Sequence, residues 1–217
     1  MHASTPSMAE QDSMSGQCLR VAAMISGAGR TVRALHQTIR TRQIPIRIGV
    51  VIAHDQHLPG VQSCREIGLD VEIVAGSPSG ETSSLIDQIL LDHETELVCL
   101  CGYLRKFRVG ERWKNRVINM HPALLPDFGG KGMYGRRVHE AVITAQSSRS
   151  GCTVHWVDEE YDHGEHILQK SCPVHKTDDP DSLANRVFEL ECEAYPEALR
   201  MISESRVAAS SSQGGHR

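Results

Sequence analysis

No stretch of the 217-residue chain comes near the roughly 18 consecutive apolar positions of a membrane span. The opening residues, MHASTPSMAEQDSMSGQ, hold no apolar core of the kind a secretory signal needs. Basic charge is not in excess: 23 Lys and Arg stand against 27 Asp and Glu, for a net charge of −4. A broad surface for nucleic acid or for an anionic membrane is therefore not expected. The seven cysteines are an odd number. Cys99 and Cys101 lie inside an apolar run, with no second pair at metal-ligand spacing. They read as small core residues. Reduced thiols and the lack of a leader point to a cytoplasmic protein.

What is present is a regular alternation of apolar runs and amphipathic stretches. LRVAAMIS (19–26), IRIGVVIA (46–53), DVEIVA (70–75) and LVCLCGY (97–103) read as strands, and RVINMH (116–121) as a fifth. Helical spacing falls between them, at 31–40, 58–68 and 79–94, and again near 134–147. The pattern then changes. GCTVHWVD (151–158) and HILQKSCPV (166–174) predict an antiparallel hairpin, and 179–203 a long closing helix. The order predicts an α/β protein with a doubly wound, mainly parallel sheet. One domain over 18–205 accounts for it, with 1–17 and 206–217 expected as disordered tails. In such sheets a ligand sits beyond the C-terminal ends of the strands.

Three segments with chemical potential fall at such ends. In the fifth strand Asn119 and His121 are two apart, so they face the same way. An amide can donate to a developing oxyanion and an imidazole can give or take a proton. The alternative is that both only cap the following loop. In ISGAGRTVRAL (25–35) a strand runs into two glycines and a helix, which suits an anion, and Arg30 could add a bidentate contact. The third glycine of a dinucleotide fingerprint is replaced by Val32, and the Lys-Ser/Thr of a nucleotide P-loop is missing. A plain phosphate site or an empty tight turn both fit. In DEEYDHGEH (158–166) Asp162 could approach His121 and raise its pKa. The same turn could be merely solvated. His163, Glu165 and His166 are weak metal candidates at that spacing, and no metal is expected.

Together these segments resemble the folate-dependent formyltransferases, most closely the branch acting on glycinamide ribonucleotide. The pieces that carry the likeness are SGAGRTVRAL, CGYLRKF, NMHPALLP, GCTVHWVDEEYDHGEHILQ and RVFELECEAYP, in family order over most of residues 20–203. The resemblance implies a Rossmann-like formyltransferase fold. It also implies transfer of the formyl group of 10-formyltetrahydrofolate, as cosubstrate, to the amine of glycinamide ribonucleotide in purine biosynthesis. Asn119, His121 and Asp162 match the catalytic trio. Gly29, Arg30 and Thr31 match the phosphate-binding segment, and Glu191 a residue that contacts the amine substrate. Leu104, Arg105, Lys106 and Phe107 match the strip that holds the pterin, with Val157 and the 158–162 turn as the opposite wall and Asn119 between them.

The sequence departs from the family where Arg30-Thr31 replace a usual Ser-Asn, where residues 71–104 lack any Lys or Arg, and where the 127–137 loop is longer. Small-molecule partners, no nucleic acid, no membrane and a monomer or homodimer are expected. A formyltransferase for another (sugar) amine, a formyltetrahydrofolate hydrolase and a non-catalytic phosphate-binding module are the competing readings.

Overall fold

A computed structural model describes residues 18–77 and 79–213. The expected N-terminal tail, 1–17, lies outside the described residues. The chain runs β1 (Leu19–Ile25), α1 (Arg30–Thr41), β2 (Ile46–Ala53), α2 (Pro59–Glu66), β3 (Val71–Ile73) and α3 (Gly80–Asp92). It continues with β4 (Leu97–Leu100), α4 (Gly110–Trp113), β5 (Val117–His121), α5 (Arg136–Thr144), β6 (Arg149–Trp156), β7 (His166–Pro173) and α6 (Pro180–Gln213). The strands form one seven-stranded sheet in the order β3-β2-β1-β4-β5-β6-β7. Pairings from β3 through β5 are parallel, and β6 and β7 are antiparallel. The doubly wound sheet with a terminal hairpin and a long last helix is thus the fold expected from the alternation.

Burial on both faces explains the near-continuous apolar strands. Along β1, Val21, Ala23 and Ile25 join one core cluster, while Ala22 and Met24 join the other. Helix α1 buries Val32, Leu35 and Ile39, a stripe at helical spacing. Cys99 and Cys101 are buried core residues, as their setting suggested. Two helix starts are capped by side chains: Ser79 accepts the Thr82 N–H at 3.2 Å, and Asp179 and Ser182 exchange backbone-to-side-chain bonds at 2.8 and 3.0 Å.

The elements differ from expectation at their margins. The short α4 was not anticipated. The last helix does not stop near 203 but continues through Gln213, so 206–213, expected as tail, is helical. RVAASSSQ contains no Gly or Pro to break a helix. Arg206 ties the extension back to Glu96, by a bond to its carbonyl at 3.3 Å and an ion pair at 3.9 Å.

The sheet order reverses at β1, which lies between β2 and β4. The turns after β1, β4 and β5 therefore open on one crevice. Two glycine-dependent approaches shape its rim. Gly60, in α2, donates its N–H to the Gly27 carbonyl at 3.1 Å. A Cβ there would stand 2.5 Å from that carbonyl and 2.8 Å from the Gly29 nitrogen. Gly164 lies so close to the Trp156 carbonyl that a Cβ would sit 1.8 Å from it. That approach folds the turn carrying Asp162 back over the end of β6.

Candidate active site

A cavity of about 680 Å³ occupies the crevice. One arm is lined by Arg30, Thr31, Ala184, Phe188 and Glu191. The other runs between residues 103–107 and 157–161. Asn119, His121 and Asp162 lie on its wall as well. The structure thus gathers into one cavity nearly all of the residues singled out in the sequence. Of the residues matched by the family resemblance only Gly29 is missing from the lining; it is the N-cap of α1, with φ 68°.

His121, at the end of β5, is 3% exposed. Its Nε2 lies 2.9 Å from the Phe128 carbonyl. A carbonyl only accepts, so Nε2 carries the proton and donates it. Nδ1 then remains, and it stands 3.4 Å from Asp162 Oδ2. Asn119 faces the same way: its Nδ2 donates to Asp162 Oδ1 at 3.4 Å and toward His155 Nε2 at 3.2 Å. The His155 Nδ1–H donates to the Trp156 carbonyl at 2.8 Å, and the His155 Nε2 lies 3.6 Å from Asp162 Oδ1. Asp162 also accepts the Gly130 N–H at 3.0 Å. One carboxylate therefore joins β5, β6 and the glycine-rich loop. Asp162 and Phe128 both hold left-handed backbone, with φ of 56°, a conformation that non-glycine residues adopt only where their surroundings hold them.

The loop that follows His121 is pinned from below. Thr153 donates to the Ala123 carbonyl at 2.7 Å and accepts the Leu125 N–H at 3.1 Å. Gln169 donates to the Leu125 carbonyl and to the Thr153 hydroxyl, both at 2.9 Å. These bonds hold the turn that carries the Phe128 carbonyl to His121.

The expected rise in the His121 pKa is not what the structure produces. Burial disfavours the imidazolium and outweighs the Asp162 carboxylate and the Phe128 carbonyl, so the pKa falls below its ordinary value. Burial pushes the Asp162 carboxyl up. Its hydrogen-bonded and charged neighbours His155, His121 and Gly130 together overcome that, and its pKa ends below the usual carboxylate range. A partly buried carboxylate thus faces a largely neutral imidazole whose free nitrogen is Nδ1.

In the first arm the Arg30 guanidinium stacks over the Phe188 ring, 4.0 Å from its centroid. Glu191 lies one turn further along α6. Burial raises its pKa to about 7, against the opposing charge of Arg30. Tyr195 fixes this face of α6 by donating to the Leu100 and Ile118 carbonyls at 3.0 and 3.4 Å. In the second arm Leu104 is 55% exposed, Lys106 pairs with Glu159 at 3.7 Å, and Arg105 bonds the Gly76 carbonyl. Phe107 is buried in the core cluster under this wall.

His163, Glu165 and His166 do not converge. The one set of metal-type ligands that does so among the described residues is Asp70, Glu72 and His93, outside the cavity. No described helix is long and apolar enough to cross a membrane. His155, Phe188 and the Phe128 carbonyl were not singled out from sequence. Strand alternation could have found His155, since it faces the same way as Thr153.

A family model described as formyl transferase matches residues 19–199. The chain belongs to the formyl transferase family. Its motifs had pointed to the same family. It is 34% identical over 213 residues to the phosphoribosylglycinamide formyltransferase, chloroplastic, of Arabidopsis thaliana, covering 94% of this chain and 73% of that protein. It is 33% identical over 193 residues to the protein of the same name from Vigna unguiculata, covering 87% of this chain and 62% of that protein. The chain therefore spans about three fifths to three quarters of these plant proteins. Among solved structures, glycinamide ribonucleotide transformylase 1 from Symbiobacterium toebii superposes with a TM-score of 0.81 at 32% identity, covering 88% of this chain and 90% of that one. The formyltransferase fold is thus shared along nearly the whole domain.

Proposed function

We propose that this formyltransferase moves the formyl group of 10-formyltetrahydrofolate onto the amine of glycinamide ribonucleotide, within residues 18–205, in the cytoplasm, as a monomer or homodimer. The observation that carries the reading is the meeting of Asn119, His121 and Asp162 between two differently built arms. The arm at the start of α1 suits a phosphate. Backbone N–H groups open a helix there and Arg30 supplies a fixed cation. The arm between 103–107 and 157–161 sets Tyr103, Leu104, Val157 and Tyr161 among charged neighbours, a mixed wall that suits a flat ring with polar edges such as the pterin. The relatives named above carry formyl transfer to this ribonucleotide in their names. No residue of the site is assigned to a metal.

The chemistry follows from the proton positions. The amine attacks the formyl carbon, and its carbonyl oxygen becomes an oxyanion. Asn119 Nδ2–H donates a hydrogen bond to that oxygen, giving up its longer bond to Asp162. The attacking nitrogen must lose a proton. His121 Nδ1 has the open lone pair and takes it, and the resulting imidazolium is stabilised by Asp162. The same proton passes to the folate nitrogen as its bond to the formyl carbon breaks. The products are the formylated ribonucleotide and tetrahydrofolate, and His121 returns to its neutral form.

Mixing the protein with both substrates and following the folate product tests the reading. His121→Ala lowers kcat about 10²–10⁴-fold, the usual worth of one acid–base group. Formyl loss at full rate without the ribonucleotide points instead to the hydrolase, and absence of any turnover to a binding module.

A further inference from the structure

His139, on α5, takes no part in the chemistry described above. It is 4% exposed, yet its ring forms part of the cavity wall. Its Nδ1 has no hydrogen-bond partner among the described residues. Burying a polar atom without a partner is destabilising, and such atoms are uncommon in native proteins. Nothing about the helix requires a histidine here. Its buried neighbours on α5 are Val138 and Val142, and an aliphatic residue would serve packing alone.

The placement of α5 is fixed. Arg136, in its first turn, pairs with Asp181 at the start of α6 and with Glu140 at 2.8 Å. This clamp holds α5 beside the helix that carries Ala184, Phe188 and Glu191, the wall of the phosphate arm. His139 also lies within electrostatic reach of His121, so protonation of either ring disfavours protonation of the other. Both residues line the same cavity.

We infer that His139 is a binding residue for the amine substrate, donating a hydrogen bond to an uncharged oxygen between its phosphate and its amine. Two oxygens share that chemistry, a ribose hydroxyl and the glycinamide carbonyl. Burial lowers the ring's pKa against the opposing charge of Asp181, and in its neutral form it offers one N–H and one lone pair. An unpaired buried N–H is rarer than an unpaired acceptor. That places the lone pair on Nδ1 and the proton on Nε2, the nitrogen left for a ligand. The inference rests on the proposed acceptor.

The test compares His139→Leu and His139→Gln with the wild type, each checked for native circular dichroism. His139→Leu raises KM for glycinamide ribonucleotide about tenfold, the value of one neutral hydrogen bond. KM for the formyl folate and the pH profile of kcat stay within twofold, and His139→Gln recovers part of the loss. In the wild type, the imidazole NMR signals of His139 move when the ribonucleotide is added and not when the folate is. With a 2-deoxyribose analogue, loss of the difference between wild type and His139→Leu assigns the bond to that hydroxyl. A persisting difference assigns it to another uncharged oxygen, the glycinamide carbonyl first. An active wild type whose His139 signals stay fixed, or a His139→Leu variant with unchanged KM, overturns this inference alone. A wild type inactive with glycinamide ribonucleotide overturns the proposed function and this inference with it.

Discussion

Asp162 Oδ2 faces His121 Nδ1 at 3.4 Å, from a turn held in left-handed backbone to the tip of a parallel strand. The contact is unfavourable when the ring is neutral, because a lone pair then meets a carboxylate. It becomes a charge-assisted bond once Nδ1 is protonated. The pair is thus arranged for the state in which His121 holds the amine's proton.

Asp162→Asn removes the group that raises the His121 pKa. The ring's proton affinity, already lowered by burial, sinks further. The expected outcome is a fall in kcat of about 10²-fold or more. The acid limb of kcat/KM begins below the ordinary histidine value of about 6.5 in the wild type and moves to still lower pH in the variant. A pH–rate profile of both proteins checks the direction.

Arg30→Gln keeps much of the side chain's length and removes its charge. A charge-assisted contact to phosphate is worth roughly 1.5–3 kcal/mol. KM for the ribonucleotide therefore rises about 10–100-fold, while KM for the folate is unchanged. Steady-state kinetics with each substrate varied in turn distinguish the two arms.

Gly60→Ala drives a methyl group into the turn before α1. Its Cβ would lie 2.5 Å from the Gly27 carbonyl, 2.8 Å from the Gly29 nitrogen and 2.9 Å from Ile25 Cδ1. Backbone on two sides leaves little room to yield. We expect a loss of about 1–3 kcal/mol, read as a Tm lower by roughly 5 °C, and weaker ribonucleotide binding. Gly80→Ala is the control, since a Cβ there meets nothing within 4 Å. Its Tm should stay at or slightly above the wild-type value.

Glu191 carries a pH-dependent penalty. Its folded pKa, about 7, stands above the ordinary carboxyl value of 4.5. The folded state therefore holds a proton that the unfolded chain has released. Stability contributed below the unfolded value is lost as pH rises through the folded one. Glu191→Gln removes this loss, so Tm rises by a few degrees at pH 8 and changes little at pH 4.5. Thermal melts at the two pH values show the difference. Activity should fall where stability rises, as is common for groups held in a binding site.

Much of the layout is legible without coordinates, and particular residues show why. Val21, Ala23 and Ile25 alternate with Ala22 and Met24 between two cores, and that double burial is what an uncharged run announces. Asn119 and His121 are two apart on a strand, so their common direction follows from backbone geometry alone. The Asp162-His163-Gly164 turn announces a tight reversal. By contrast, the continuation of α6 beyond 203 depends on a contact between Arg206 and Glu96, far away in the chain. The short α4 lacks the length that makes periodicity readable.

The electrostatics of the site were less legible still. A carboxylate near an imidazole, as in the acidic turn, suggests a raised pKa. The sign reverses because His121 is buried, and burial is a property of the whole assembled fold. Glu191 and His139 are similar cases. Neither position hints in one dimension at a raised carboxyl or an unsatisfied ring nitrogen.

Sequence by itself therefore determined the sheet, its order of elements, the family and the residues at the strand ends. These depend on side-chain period and turn chemistry, which act over a few neighbouring positions. Only the tertiary structure decided which nitrogen of His121 is open, that His155 and Phe128 orient the site, and which groups hold protons. Those properties depend on distance and solvent exclusion among residues that the chain itself keeps far apart.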